Sequence, residues 1–300
     1  MRVACRAVTP QRWRGTAYPR DVDAPELVAL LAGRRVAVLT GAGLSTDSGI
    51  PDYRGPDSPP ANPMTIRQFT SSREYRRRYW ARNHLGWRHM AATEPNAGHR
   101  ALAALERAGV VTGVVTQNVD LLHTKAGSRA VINLHGTYAR VVCLACGHTM
   151  SRAALAEMLE TANPGFAERT ARIGGLAVAP DADAVVVDTD SFEFIDCPAC
   201  EGMLKPDIVY FGESVAKDVV DQAYSLVEDS DALLVAGSSL TVFSGYRFVR
   251  HAAARQIPVA IVNRGPTRGD DLATVKVDAG CSPLLTLLAE ELTGGKPAVP

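Results

Sequence analysis

No run of apolar residues in this 300-residue chain approaches the roughly 18 that a membrane-spanning helix requires. A net charge is also missing, since 32 Lys and Arg balance 32 Asp and Glu. That balance argues against a bulk nucleic-acid binder, so neither a membrane nor a nucleic acid is the expected partner. Acidic residues are absent before Asp21, while Arg2, Arg6, Arg12, Arg14 and Arg20 precede it. Such a segment can be read as a mitochondrial import leader. However, it also lacks serine, and Pro10 and Pro19 oppose an amphipathic helix. An exposed basic arm over 1–23 is therefore the expectation. The Ala/Arg/Val-heavy usage points to a bacterial cytoplasmic protein, with the mitochondrial matrix as the alternative. A secretory signal is absent as well, so paired cysteines read as metal ligands rather than disulfides.

The chain is 46% hydrophobic and can build a core as one large domain or a domain carrying an insertion. Its most informative stretch runs over 35–55. Val36 to Leu39 form a short apolar run of the kind found in buried parallel strands. Thr40 and Gly41-Ala42-Gly43 follow, giving a tight turn through which backbone can approach a ligand. A helix beginning there would point its N-terminal N–H groups at a phosphate. Gly49-Ile50-Pro51 ends that helix early and leads into Asp52, Tyr53 and Arg54. The ordinary dinucleotide fingerprint is incomplete: its third glycine is Thr46, and the position of its ribose-binding acid, about 20 residues on, is Ala61. A standard dehydrogenase is disfavoured.

Further apolar runs at 110–115, 131–134, 232–236, 258–262 and 275–277 read as strands. Helical patterns at 24–32, 67–89, 99–108, 217–228 and 244–255 lie between them. This alternation predicts an α/β fold with a doubly wound, parallel, Rossmann-like sheet. Small polar residues and glycines cluster at the carboxyl ends of the strands, where such sheets bind ligands. The expected organisation is a discontinuous nucleotide-binding domain (24–138 and 203–295). It carries a helical, cofactor-loop insertion at 56–98 and a zinc-binding module at 139–202. Residues 67–89 are rich in arginine, with Tyr75, Tyr79, Trp80 and Trp87 interleaved. That helix reads either as a solvated face with aromatics turned inward or as a partner surface. The acidic run from Asp181 to Asp196 is a candidate to neutralise it.

Cys143, Cys146, Cys197 and Cys200 form two Cys-x-x-Cys knuckles. Four thiolates suit one tetrahedral zinc with a closed, structural shell. The 50 residues between the knuckles exceed the spacing of a plain zinc ribbon, so an insertion containing a helix near 151–161 is expected. Two separate redox pairs are the alternative. Cys5 and Cys281 read as free thiols.

Seven histidines are present. His84, His89, His99, His123 and His251 fall in or beside helical patterns and read as surface or packing residues. His135 differs, because it ends a strand and precedes Gly136, a suitable place for a general base. Gln117, Asn118 and Asp120 end another strand, offering two amides and a carboxylate for ribose hydroxyls and a carboxamide, or alternatively a helix cap. Ser238, Ser239 and Asn263 sit at two further strand ends.

In order along the chain, GAGLSTDSGIPDYRG, TQNVDLLHTKAG, LHG, the two knuckles, LKPDIVYFGE, GSSL and VNRGPTR resemble the signature of the sirtuins, NAD-dependent protein deacylases. PDYR, RYWARN and the long insert between knuckles resemble the class II branch that includes the mitochondrial lipoamidase-type sirtuin. The resemblance implies NAD as a co-substrate, one structural zinc, and acylated-lysine proteins or peptides as partners. It places Ala42, Asp52, Tyr53 and Arg54 around NAD, Gln117 and Asn118 at the nicotinamide-side ribose, and Asp120 at the carboxamide. Ser238, Asn263 and Cys281 fall towards the diphosphate and adenosine. Gly41, Gly43, Ser45, Val119, Gly237, Ser239, Arg264 and Gly265 complete the cofactor side. Val209, Tyr210, Phe211, Gly212 and Glu213 resemble the strand that pairs with a substrate peptide. His135, as base, and Asn118 are the implied catalytic pair, and the implied products are free lysine, nicotinamide and O-acyl-ADP-ribose.

Two departures from the family pattern stand out. Phe243-Ser244 replaces the usual Pro-Ala after GSSL-x-V. The Tyr-x-x-Arg pair of the desuccinylating branch falls on Asn83 and Gly86, so succinyl or malonyl specificity is not expected. Protein ADP-ribosyltransfer through the same pocket, and a non-catalytic NAD or zinc module, are the competing readings.

Overall fold

The computed structural model describes residues 24–53, 63–171 and 189–294. The chain starts with α1 (Pro25–Leu31) and β1 (Val36–Thr40), then α2 (Ile66–Ser71), α3 (Arg73–Ala92) and α4 (Ala97–Arg107). Next come β2 (Val111–Thr116), α5 (Leu122–Lys125), β3 (Val131–Asn133), β4 (Gly136–Cys143) and β5 (Thr149–Ser151). The sequence continues through α6 (Arg152–Ala162), α7 (Phe166–Ala171), β6 (Leu204–Ile208), α8 (Lys217–Glu228) and β7 (Ala232–Ala236). It closes with α9 (Phe243–Ala254), β8 (Val259–Val262), β9 (Val275–Val277) and α10 (Cys281–Leu292).

Six strands form one parallel sheet in the order β3-β2-β1-β7-β8-β9. Strand β1 is buried along its whole length, and its side chains alternate between two cores, as a pleated strand requires. Val36 and Val38 join Leu27, Leu102, Leu284 and Leu288 under α1, α4 and α10. Ala37 and Leu39 join Val227, Phe248 and Ala252 under α8 and α9. Both faces are thus covered, the doubly wound arrangement. The strand order reverses between β1 and β7, which makes their carboxyl ends the topological switch point where such sheets bind ligands.

A second, three-stranded antiparallel sheet has the order β5-β4-β6. Because β6 pairs with β4, this layer reaches Ile208. It shares one aromatic-rich core with α2 and α3, through Phe69, Tyr79, Trp80, Tyr138, Phe166 and Phe192. The helical insertion and the cysteine-bearing sheet are therefore packed as one body. Helix α2 starts on a Thr65/Gln68 capping box and α3 on Ser72, whose hydroxyl accepts from the Tyr75 N–H, both satisfying otherwise orphaned N–H groups.

The arginine-rich helix turns Tyr79 and Trp80 into this core. Arg73 reaches Asp196 at 2.7 Å and lies over the Phe194 ring, while Arg88 and His84 share Glu160. These contacts match the solvated-face reading; Asp181, Asp183 and Asp188 lie outside the described residues. Arg152 is fully buried. It donates through Nη2 and Nε to Asn83 Oδ1 at 2.9 and 3.2 Å and stacks near Trp80 and Trp87. Burial lowers its pKa to about 10, so it stays charged at neutral pH.

Candidate active site

The turn after β1 differs from the expected helix. Two single 3-10 turns, Ala42–Leu44 and Thr46–Ser48, occupy the position, and Gly49 ends them in the left-handed region at φ 86°. No extended helix N-terminus therefore faces the site here. The physical reason is the neighbouring loop after β7. Gly43 N–H donates to the Gly237 carbonyl at 2.8 Å. Gly237 has φ 67°, and a Cβ built on it would lie 2.2 Å from the Leu44 nitrogen. The two loops interlock at the switch point, and only glycine allows the approach.

The end of β2 is built on a chain of short polar contacts. Gln117 Nε2 donates to the Thr40 carbonyl and to Ser238 Oγ, at 3.1 and 2.9 Å. Asn118 Nδ2 donates to the Gly41 carbonyl at 3.0 Å and to Ser45 Oγ at 3.1 Å. Ser45 Oγ donates in turn to Asp120 Oδ2 at 2.6 Å, and the Leu122 N–H donates to the other carboxylate oxygen at 3.0 Å. Burial pushes the Asp120 carboxyl upward, against the lowering effect of those donors. One Asp120 oxygen thus satisfies the first N–H of α5 and the other holds Ser45.

Behind this row lie His99 and His123, ring centroids 5.0 Å apart and both fully buried. Thr40 Oγ1 donates to Thr116 Oγ1 at 2.9 Å and lies 2.9 Å from His123 Nε2. With its own hydrogen used, Thr40 Oγ1 accepts there, so His123 carries its proton on Nε2. Thr116 Oγ1 accepts the Asn118 N–H at 3.1 Å. These two histidines are packing residues, as expected, and His123 also braces the backbone of Asn118.

His135 follows β3. Its Nδ1 lies 3.0 Å from the Gln117 carbonyl oxygen and its Nε2 lies 2.7 Å from Ser244 Oγ. A carbonyl only accepts, so Nδ1 carries the proton and Nε2 presents a lone pair. Burial lowers the pKa of His135, with Arg247 adding to the effect and the Gln117 carbonyl opposing it. The ring is therefore neutral at pH 7, a base with the correct nitrogen turned to the site.

These groups open onto one cavity of about 1010 Å³. Every expected cofactor-side and substrate-side residue among the described ones lines it, with the exception of Cys281. The Cys281 thiol is buried beneath β8, pointing to the Val262 carbonyl at 3.7 Å, and burial pushes its pKa up to about 12. Arg54 lies outside the described residues. On the far wall, Val209 N–H donates to the His135 carbonyl at 2.8 Å. Glu213 is held by Lys205 Nζ at 2.9 Å and by the Tyr210 N–H at 2.7 Å. Phe211 and Phe243 are both exposed on the rim. The cavity also includes residues not expected among the site residues, among them Ile50, Met64, Ile208, Ser244 and Arg247. For the last two a signal existed, since three residues apart on one helix is one face.

The four paired cysteines come together with all Sγ atoms within 4.8 Å of one another. Cys143 and Cys200 are 3.6 Å apart, and Cys146 and Cys197 are 3.8 Å apart. A zinc tetrahedron with Zn–S near 2.3 Å has edges of about 3.8 Å. The geometry thus fits one structural zinc, whereas a disulfide would need sulfurs about 2.05 Å apart. Each knuckle also closes on itself, with Gly147 N–H on the Cys143 carbonyl and Glu201 N–H on the Cys197 carbonyl.

The Sir2 family profile matches residues 41–244. An NAD-dependent protein deacetylase 1 of Mycobacterium avium (strain 104) is 78% identical over 271 residues, covering 90% of this chain and 96% of that protein. The human mitochondrial NAD-dependent protein lipoamidase sirtuin-4 is 45% identical, covering 85% and 82%. A solved structure of Sir2 with a p53 peptide and NAD+ superposes with a TM-score of 0.70 at 31% identity, covering 89% of this chain and 97% of that one.

Proposed function

The chain belongs to the Sir2 family, and on that premise we infer that its cavity removes acyl groups from protein lysine side chains while consuming NAD. The observation that carries this reading is His135, neutral and with its unprotonated Nε2 directed into the cavity beside Asn118.

The cavity fits NAD on its own features. Its volume lies at the upper end of the range for small-molecule sites, about 300–1,000 Å³, leaving room for a dinucleotide and a lysine side chain. Polar groups from four strand ends converge on it, at Gly41, Gln117, Gly237 and Asn263. NAD, when bound, supplies an anomeric carbon from which nicotinamide can leave, and a ribose that receives the acyl group.

The protein's own groups divide the remaining work. Asp120 and Ser45 offer a carboxylate and a hydroxyl suited to orienting a carboxamide. Asn118, fixed by Gly41 and Ser45, is placed for a ribose hydroxyl. His135 accepts a ribose proton at Nε2, and its Nδ1–H bond to the Gln117 carbonyl stabilises the imidazolium that forms. Ser238 and Ser239 offer hydroxyls for the diphosphate, and Asn263, Arg264 and Gly265 line the adenosine end. The segment Val209 to Glu213 forms one wall of the acyl-lysine entrance, with Tyr53 edge-on to Phe211 at 6.4 Å beside it. Zinc, held by Cys143, Cys146, Cys197 and Cys200, leaves no open coordination position and keeps the small sheet in register. Among the described residues no helix is long and apolar enough to cross a membrane. The setting we propose is the bacterial cytoplasm, on the strength of the bacterial relatives.

Incubating the protein with NAD and an acetyl-lysine peptide, and identifying products by mass, tests the reading. Peptide-dependent nicotinamide release with O-acetyl-ADP-ribose, lost in His135→Ala, is the expected result. ADP-ribose attached to protein instead of acetyl transfer would overturn it.

A further inference from the structure

The cavity wall carries a cation, Arg247, that has no ion-pair partner among the described residues. Arg247 lines the wall one helical turn beyond Ser244, on the face of α9 that carries Ser244 towards His135. Its Nε is buried without a hydrogen-bond partner. Its guanidinium carbon lies 5.3 Å from the ring centre of Phe243, a residue 47% exposed on the rim. Among the described residues no carboxylate forms an ion pair with it. The acids that line the cavity have other partners: Glu213 with Lys205 and the Tyr210 N–H, Asp120 with Ser45 and the Leu122 N–H, and Asp52 with an interaction of its own.

A half-buried guanidinium with an unmet N–H is costly unless an acceptor arrives. Its planar fork suits a carboxylate best. The diphosphate side proposed above is at the loop carrying Ser238 and Ser239, and the other lining guanidinium, Arg264, follows Asn263 at the end of β8. Arg247 instead rests on the rim phenylalanine beside the entrance formed with Phe211.

We propose that Arg247 is a specificity-determining residue that binds a carboxylate of the substrate, carried either by an acidic side chain next to the acyl-lysine or by the acyl chain itself. This rests on the deacylase reading above. The site would supply from α9 the cation that is missing at Asn83 and Gly86 on α3. Phe243 holds the fork in place, so binding costs little further side-chain freedom. Because the pair is partly solvated, the gain is modest and sensitive to salt.

The test uses the full chain with saturating NAD and follows nicotinamide release. One arm compares acetyl-lysine peptides with Asp or Glu at each flanking position against Asn or Gln isosteres. A second arm compares glutaryl-lysine with an uncharged acyl of similar length in a neutral peptide. We expect roughly a fivefold preference in kcat/KM for a carboxylate substrate in one arm, expressed mainly in KM and reduced at high salt. A preference in the first arm assigns the carboxylate to the polypeptide, and in the second to the acyl chain. Arg247→Gln should bring the ratio close to one, and Arg247→Glu should invert it in favour of lysine-flanked peptides. A wild type that turns over every substrate without preference would overturn the proposal and leave the deacylase reading intact. So would an Arg247→Gln variant in which the preference persists while the KM for NAD rises, because Arg247 would then serve the cofactor. No turnover of any acyl peptide would sink the deacylase reading itself. If a variant does not fold, the wild-type preferences and their salt dependence still decide.

Discussion

His135 Nε2 lies 2.7 Å from Ser244 Oγ, so the lone pair proposed to accept a ribose proton is already hydrogen-bonded by a hydroxyl of the opposite wall. The other ring nitrogen, 3.0 Å from the Gln117 carbonyl, is fixed as the proton carrier. Catalysis therefore requires the ribose hydroxyl to replace the serine hydroxyl, or to pass its proton through it. The alanine of the usual pattern at position 244 would offer no such donor. The departure from the family pattern at Phe243-Ser244 thus falls on the atom in direct contact with the base.

The protonation state of His135 sets the first prediction. Burial, and secondarily Arg247, lower its pKa below the ordinary value of 6.5. The sign follows directly: the active form is the neutral one, so activity falls only when pH drops below that lowered value. The acidic limb of kcat/KM should have its midpoint below 6.5. Removing the nearby charge in Arg247→Gln should move the limb upward. His135→Ala should reduce turnover by on the order of 10²–10⁴. A limb at or above 6.5 in the wild type would remove His135 from the role of base.

The zinc cluster gives a second prediction that reads structure rather than rate. With four thiolates filling the shell, the metal's free energy of binding is folding free energy for the β5-β4-β6 layer. Cys143→Ser or Cys197→Ser, both at buried positions, should lose zinc, which a metal-specific dye would report. They should also increase protease cleavage within residues 139–202. Because that layer ends in β6 and runs directly into Val209–Glu213, the KM for acyl peptide should rise more than the KM for NAD. Equal losses for both ligands would mean that the layer supports the whole fold rather than the substrate wall.

The parallel strands of the main sheet read as short apolar runs, and β1, β2, β3, β7, β8 and β9 were legible for that reason. The cysteine knuckles were legible because metal ligation dictates the spacing. Strands β4, β5 and β6 were not, since β5 is short and mostly exposed and β4 mixes Arg140 with apolar residues along a half-buried ladder. The turn at 42–48 read as a helix because its composition permits one. What prevents it is Gly237, nearly two hundred positions away, and no local pattern carries that contact. Arg152 illustrates the same limit. It opens the helix expected near 151–161, yet its partner Asn83 lies 69 residues away and places it inside an aromatic core.

Asp120 exchanges stability for function. Its carboxyl is displaced upward by burial, so the folded state holds that proton more tightly than the unfolded chain does. Between the ordinary carboxylate value and the raised one, stability falls as pH increases, so the buried carboxyl is a standing cost at pH 7. Asp120→Asn keeps an acceptor for Ser45 and removes the buried charge. It should melt roughly 2–4 °C higher at pH 7 while losing on the order of 10²-fold in activity. The thermal gain should disappear at a pH below 3.8, where the parent group is protonated in both states. A variant that melts lower at pH 7 would show that the donors around Asp120 outweigh its burial.

The buried pair behind the site makes acid the natural denaturant of this protein. Burial lowers His99 to about 2 and His123 to about 4, whereas an unfolded histidine titrates near 6.5. Between those values the unfolded chain binds more protons, so stability is lost as pH falls from 6.5 and each ring contributes up to about 1.4 kcal/mol per pH unit. The contribution of His123 levels off near pH 4, and that of His99 continues lower. Both His99 nitrogens lack a hydrogen-bond partner, so its polar character adds little above pH 6.5. His99→Phe should therefore hold near-parental stability at pH 7 and exceed the parent at pH 5, giving a flatter dependence in urea titrations. His123→Phe should differ, because it removes the Nε2–H bond to Thr40 that braces Thr116 and the Asn118 N–H. Its stability at pH 5 should also gain, but its activity at pH 7 should fall with a raised KM for NAD. If both variants behaved alike at pH 7, the link from His123 to Asn118 would carry no weight in the site.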